Sequence, residues 1–328
     1  MSENDKRVNG LSKSDALGGM NERLAPIADA LSSEACRAGH EHVPAIFIVG
    51  LPRSGTTLMH QLLAKGSRVE YVDQVVARFW LAPLFGRALS REVLGPEPWR
   101  RILFESNLGV SRGVEGPHEF GYFWNHWMGF ATTQSHNLSA EEIGRVDVEG
   151  LRSVLLGQLL SGVQGEAYLF KNLTCGFQAT FLAGLVQPSL FILVERDLTD
   201  VAYSLLSARR SLWGNSAEWF SLKPSTYSIL NSLPDPIQQV AHQVIDCSTE
   251  LASELFQIQS QVIRVGYTEM CEDPRGVVTR VARYANSVGI PLTTRLHELP
   301  RVFEAHRHQV PGGIRLELES HGIGLQSP

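Results

Sequence analysis

The chain is poor in cysteine, has no excess of positive charge and contains no long apolar run. Its four cysteines, Cys36, Cys175, Cys247 and Cys271, are far apart, with no C-x-x-C pair and no histidine at zinc spacing. They are expected to be reduced and mostly buried, as in a cytosolic protein. No apolar stretch reaches the roughly 18 residues a membrane helix needs. The opening MSENDKRVNGLSKSD is too polar to be the apolar core of a signal peptide, so a soluble, cytoplasmic protein without a membrane span is expected. A formal net charge of −5 argues against nucleic-acid binding through bulk charge and leaves room only for a local basic pocket.

What is present is core. Of 328 residues, 43% are hydrophobic and 19% charged, enough for a large packed interior. One α/β domain is the prior for this length. The chain is organised around AIFIVGLPRSGTT, Ala45 to Thr57. Ala45 to Val49 reads as a buried strand, Gly50 to Thr57 as a tight loop and LMHQLLAK after it as a helix. That geometry aims backbone N–H groups and a helix N-terminus at one point, which suits a phosphate. The loop nearly matches the triphosphate motif G-x-x-x-x-G-K-[ST]. Thr56, however, stands where the lysine would be, and the basic residue has moved to Arg53. The anion cradle is kept and the triphosphate lysine is not, which favours a phosphate bearing a good leaving group over ATP with magnesium.

Residues 1–43 read as a flexible or weakly helical leader, with a helical pattern from Asn21 to Ala38. Residues 44–328 read as a single domain with substrate-side insertions near 77–140 and 211–236. AYLFK (167–171), SLFILVE (189–195) and QVIRVGY (261–267) are further strands. Helices are predicted over 141–164, 198–210, 237–260, 274–287 and 295–306, and little periodicity is visible in the tail. Alternating strands and helices predict a central parallel sheet covered on both faces, a P-loop-type three-layer α/β fold. Gly113 to Trp127, GVEGPHEFGYFWNHW, is the most unusual composition, with imidazoles and carboxylates among five aromatics. Its aromatics suit either ordinary packing or an apolar, ring-bearing acceptor.

Three separated segments resemble the sulfotransferases that use 3′-phosphoadenosine-5′-phosphosulfate (PAPS). LPRSGTT resembles that family's 5′-phosphosulfate loop. ERDLTDVAYS resembles its 3′-phosphate motif, with Arg196 at a strand end and Ser204 eight positions on. YTEMCEDP resembles the segment whose tyrosine, here Tyr267, sits near the adenine. The arginine in the loop is closer to the tyrosylprotein and bacterial members than to the cytosolic small-molecule branch. Lys171 matches their lysine at the end of a central strand. The cytosolic branch's C-terminal Gly-x-x-Gly-x-x-Lys loop has no counterpart, because Gly312, Gly313 and Arg315 do not fit it.

The resemblance implies that Ser54, Gly55, Thr56 and Thr57 hold the 5′-phosphate, that Arg53 and Lys171 face the sulfuryl group, and that Arg196 and Ser204 read the 3′-phosphate. It implies PAPS as donor, 3′,5′-ADP as product, a small-molecule or glycan acceptor and no metal. For the general base three candidates stay open: His118 and Glu119 of the Pro117-His118-Glu119 loop, and Asp73, close to where the tyrosylprotein branch keeps its carboxylate. Counting from Arg53 puts Gln74 at that place. Two rivals remain: a degenerate P-loop kinase with Asp197 as its magnesium carboxylate, and a non-catalytic nucleotide-binding protein.

Overall fold

The structure is a computed structural model and describes residues 15–37, 42–306 and 308–324. Its centre is β1 (Ala45–Gly50), all six residues of which are buried. Ala45, Phe47 and Val49 point to one face of the sheet and Ile46 and Ile48 to the other, each into its own apolar cluster. Such two-sided burial is what an unbroken apolar run in a parallel sheet requires. Phe47 stacks between Phe170 and Phe191 of the flanking strands, at ring-centroid distances of 5.3 and 5.0 Å.

In chain order, α1 (Asp15–Arg37) precedes β1, and α2 (Thr56–Gly66) follows the loop. Next come β2 (Val69–Tyr71), α3 (Pro83–Leu94), the hairpin β3 (Ser106–Asn107) and β4 (Val110–Ser111), and α4 (Gly121–Trp127). Two short helices, α5 (Ala140–Ile143) and α6 (Val148–Arg152), lead through a π-helical stretch, Ser153–Leu160, to β5 (Ala167–Lys171). The second half holds α7 (Ala179–Leu185), β6 (Ser189–Glu195), α8 (Leu198–Trp213), α9 (Tyr227–Leu230), α10 (Pro236–Phe256) and β7 (Val262–Gly266). It ends with α11 (Tyr267–Glu272), α12 (Pro274–Ser287) and α13 (Gly312–Ser320). The main sheet is wholly parallel in the order β2-β5-β1-β6-β7, with helices on both faces, the predicted α/β architecture.

Several sequence expectations need correction. The helix predicted over 141–164 is broken: α5 ends at Gly144, Asp147 caps a new start by accepting the Gly150 N–H at 3.0 Å, and the chain leaves helix at Ser161. The helix predicted over 295–306 is one 3₁₀ turn, Leu296–Glu298, whereas the tail, read as aperiodic, forms α13. In the leader, α1 begins at Asp15 and is anchored by Asn21, whose side chain donates to the Arg78 carbonyl at 2.8 Å and accepts from Leu81 N–H at 3.0 Å. The flexible opening expected for residues 1–14 lies outside the described residues. Cys175, Cys247 and Cys271 are free and buried. Among the described residues no helix is long and apolar enough to cross a membrane.

Candidate active site

Parallel register delivers the predicted residues to one edge. Gly50 pairs with Val194, Ile48 with Lys171 and Glu195 with Gly266, so the C-terminal ends of β1, β5, β6 and β7 open side by side. Arg53, Lys171, Arg196 and Tyr267 stand at those ends. In open α/β sheets this is the edge where ligands bind.

The Arg53 side chain donates from Nε to the Ser204 hydroxyl at 3.0 Å. Arg196 donates to the Arg53 carbonyl at 3.2 Å and to the His306 carbonyl, faces Asp200 at 3.6 Å, and lies 4.3 Å from the centre of the Tyr267 ring. Two segments 143 residues apart in sequence therefore share one basic cluster. Burial first, and then the neighbouring Arg196 charge, hold the Arg53 guanidinium below its usual pKa. Repulsion between two cations is relieved by an anion between them.

The loop itself is shaped for close approach. Arg53 has φ 69° and Gly55 φ 105°, both left-handed. A Cβ at Gly55 would stand 2.5 Å from the Tyr267 ring. Gly55→Ala therefore combines backbone strain with a clash. The expected outcome is displacement of Tyr267 and a loss of roughly 1–3 kcal/mol in urea unfolding. Ser54 is 1% exposed, and its hydroxyl has no hydrogen-bond partner among the described residues. An orphaned hydroxyl beside the free N–H groups that open α2 is an oxyanion-binding arrangement. The donor set thus fits a nucleotide with a phosphate at each end.

Lys171, 3% exposed, forms an ion pair with Glu119. Asn172 donates to the Glu119 carbonyl at 3.1 Å and fixes the loop. The hairpin tip lies over this pair: Thr57 donates to the Gly109 carbonyl at 3.3 Å, and a methyl at Gly109 would stand 3.3 Å from Glu119 Oε1. His118 Nδ1 accepts the Phe120 N–H at 2.8 Å, so the neutral ring carries its proton on Nε2.

Asp73 is placed differently. One carboxylate oxygen caps the Val76–Arg78 turn by accepting the Val75 and Val76 N–H groups, each at 2.8 Å, and the other accepts the Ser90 hydroxyl. Burial raises its pKa. Asp73 bridges to Pro117 beside the His118–Glu119 loop, but both of its oxygens are engaged in this capping task, which makes it the less available of the three candidate bases. Asp197 likewise caps α8 by accepting the Asp200 N–H at 3.0 Å, which is a helix-start role rather than a magnesium carboxylate. Phe120, Phe123 and Trp124 are buried in the core, so the ring-bearing-acceptor reading does not rest on them.

Two features were missed in the sequence. His60, one turn into α2, is fully buried; burial first, then Lys171 and His118, push its pKa well below the ordinary value, so it stays neutral beneath the site. The segment after Leu299 crosses the cluster: the His306 N–H donates to the Tyr267 hydroxyl at 3.2 Å, and the His308 ring packs edge-on to Tyr203 at 5.5 Å. Such contacts join residues remote in sequence, and no local pattern announces them. A separate cavity of about 380 Å³ borders β2. Its Arg87 is already bound to Glu70 and to the Gln158, Ser161 and Gly162 carbonyls, and its Arg295 covers Trp99.

A family model described as "Sulfotransferase family" matches residues 44–291. Among solved structures, sulfotransferase STF9 from Mycobacterium avium aligns with a TM-score of 0.50 at 13% identity, over 89% of this chain and 71% of that one. Sulfotransferase STF1 from Mycobacterium tuberculosis H37Rv aligns with a TM-score of 0.50 at 15% identity, over 92% and 77%. At such identities the likeness is one of fold. No curated protein matches the sequence.

Proposed function

Because this chain belongs to the sulfotransferase family, we propose that it transfers a sulfuryl group from PAPS to a hydroxyl or amine of a small-molecule or glycan acceptor. The observation that carries this reading is the convergence of Arg53, Ser204 and Arg196 into one cluster beside the orphaned Ser54 hydroxyl. PAPS, when bound, supplies an activated sulfuryl group on a phosphate leaving group. Ser54, Gly55, Thr56 and Thr57 would hold the 5′-phosphate at the start of α2. Arg196 and Ser204 would hold the 3′-phosphate, and Tyr267 would stand beside the adenine. Arg53 and Lys171 neutralise the charge that develops as the leaving group departs, a task for fixed cations that requires no metal.

Glu119 is the base best placed to take the acceptor's proton. His118 Nδ1 already accepts a hydrogen bond, and its Nε2 carries a proton, so the ring has no lone pair to offer in this arrangement. Lys171 holds Glu119 in an ion pair. Were Lys171 to turn its ammonium from Glu119 to an anion bound in the loop, a Glu119 oxygen would be left able to accept.

The test is turnover of a panel of phenols, alcohols and amines with PAPS, followed by release of 3′,5′-ADP. Sulfation of at least one acceptor class without added metal is expected. Tight 3′,5′-ADP binding with no release on any acceptor would favour a non-catalytic nucleotide-binding protein instead.

A further inference from the structure

A second constellation of chemistry lies outside this site, where α13 packs against α10. Asp235 caps α10, and the Asp235, Glu317 and His321 side chains bring ligand atoms within 4.8 Å of one another. Glu317 and His321 are four apart, on one face of the end of α13. His242 lies seven residues after Asp235, also on one helix face, and its ring centre is 5.9 Å from that of His321.

Asp235 accepts the Ile237 and Gln238 N–H groups at 3.0 and 3.1 Å, and each of its oxygens keeps a lone pair. Among the described residues, neither the Glu317 carboxylate nor a nitrogen of either imidazole has a hydrogen-bond or ion-pair partner. The groups thus converge without bonding one another. Tetrahedral ligands at about 2.1 Å from one ion stand roughly 3.4 Å apart, so side-chain rotations that move these ligand atoms by about an ångström close the set.

We infer that Asp235, Glu317 and His321 form a site for a divalent transition metal of the zinc type that fastens α13 to α10, with the fourth position open to solvent. Imidazole with carboxylate suits zinc and its first-row neighbours better than calcium or magnesium, which favour all-oxygen sets. Structural logic supports the same assignment. The nine residues of α13 are too few for a helix stable by itself, and within them only Leu318 is buried, with Ile323 just beyond. A metal crosslink supplies the hold that this small apolar contact lacks.

The test uses the full chain, stripped of metal, with zinc chloride as the probe. Calorimetry is expected to give one zinc per chain, and the melting temperature to rise by roughly 4 °C at a hundredfold excess over Kd. His321→Ala and Glu317→Gln should each weaken binding roughly tenfold or more while leaving the melting temperature of the metal-free protein nearly unchanged. Cobalt titration gives an independent readout, a visible absorption band present in the parent and lost in His321→Ala. No zinc binding by the parent, or unchanged affinity in both variants, overturns the assignment; the latter places the ion on other histidines.

Discussion

Replacing Arg53 with asparagine is expected to lower kcat/KM for the sulfuryl donor by roughly 10²–10³-fold, the usual cost of removing one group that stabilises transition-state charge. Asparagine is the informative choice because residue 53 has φ 69°. It tolerates the left-handed region, so the cation is lost without forcing the loop out of shape. The substitution also ends the donation to the Ser204 hydroxyl and removes a charge that repels Arg196. Steady-state kinetics with varied PAPS, set beside circular dichroism of the folded protein, check the prediction. Arg53→Lys should recover only part of the rate, because a point charge cannot reproduce the guanidinium fork. A rate for Arg53→Asn within tenfold of the parent would remove Arg53 from the reaction.

Glu119→Gln carries the second large effect. If Glu119 takes the acceptor's proton, kcat falls roughly 10²–10⁴-fold, the range for loss of a general base. Binding of 3′,5′-ADP should be retained or tightened, because Lys171 loses its carboxylate partner and becomes available to the donor. His118→Asn serves as the comparison. If His118→Asn lowers kcat that far while Glu119→Gln leaves it nearly unchanged, the assignment passes from the carboxylate to the imidazole. Asp73→Asn should act through stability, since it weakens the acceptors for two backbone N–H groups and for the Ser90 hydroxyl.

Much of this site was legible in the sequence because the fold puts its chemistry at strand ends. An apolar run followed by Gly50 announced β1 and its loop, and Lys171 and Arg196 sit directly where AYLFK and SLFILVE run out of apolar residues. Alternation of strand and helix sufficed for a parallel sheet, whereas the order β2-β5-β1-β6-β7 depends on contacts that no local stretch encodes. The break between α5 and α6 was hidden because Gly144 and Asp147 interrupt an otherwise continuous apolar pattern by one turn. In α13 the reverse holds: one buried leucine in nine residues leaves almost no periodic signal. His60, His306 and His308 escaped notice for a different reason. A histidine's surroundings decide whether it is inert or functional, and here they come from β5, α8 and α11.

The proposed function requires one nucleotide to be held at both ends, by the Arg53 loop and by Arg196 with Ser204. Thermal shift with three ligands tests it most directly, since a ligand that binds the native state stabilises it by the logarithm of one plus the ratio of free ligand to Kd. A rise of several degrees is expected with 3′,5′-ADP, and little or none with 5′-ADP or with ATP and magnesium. A rise with ATP and magnesium but not with 3′,5′-ADP would contradict it and restore the kinase reading.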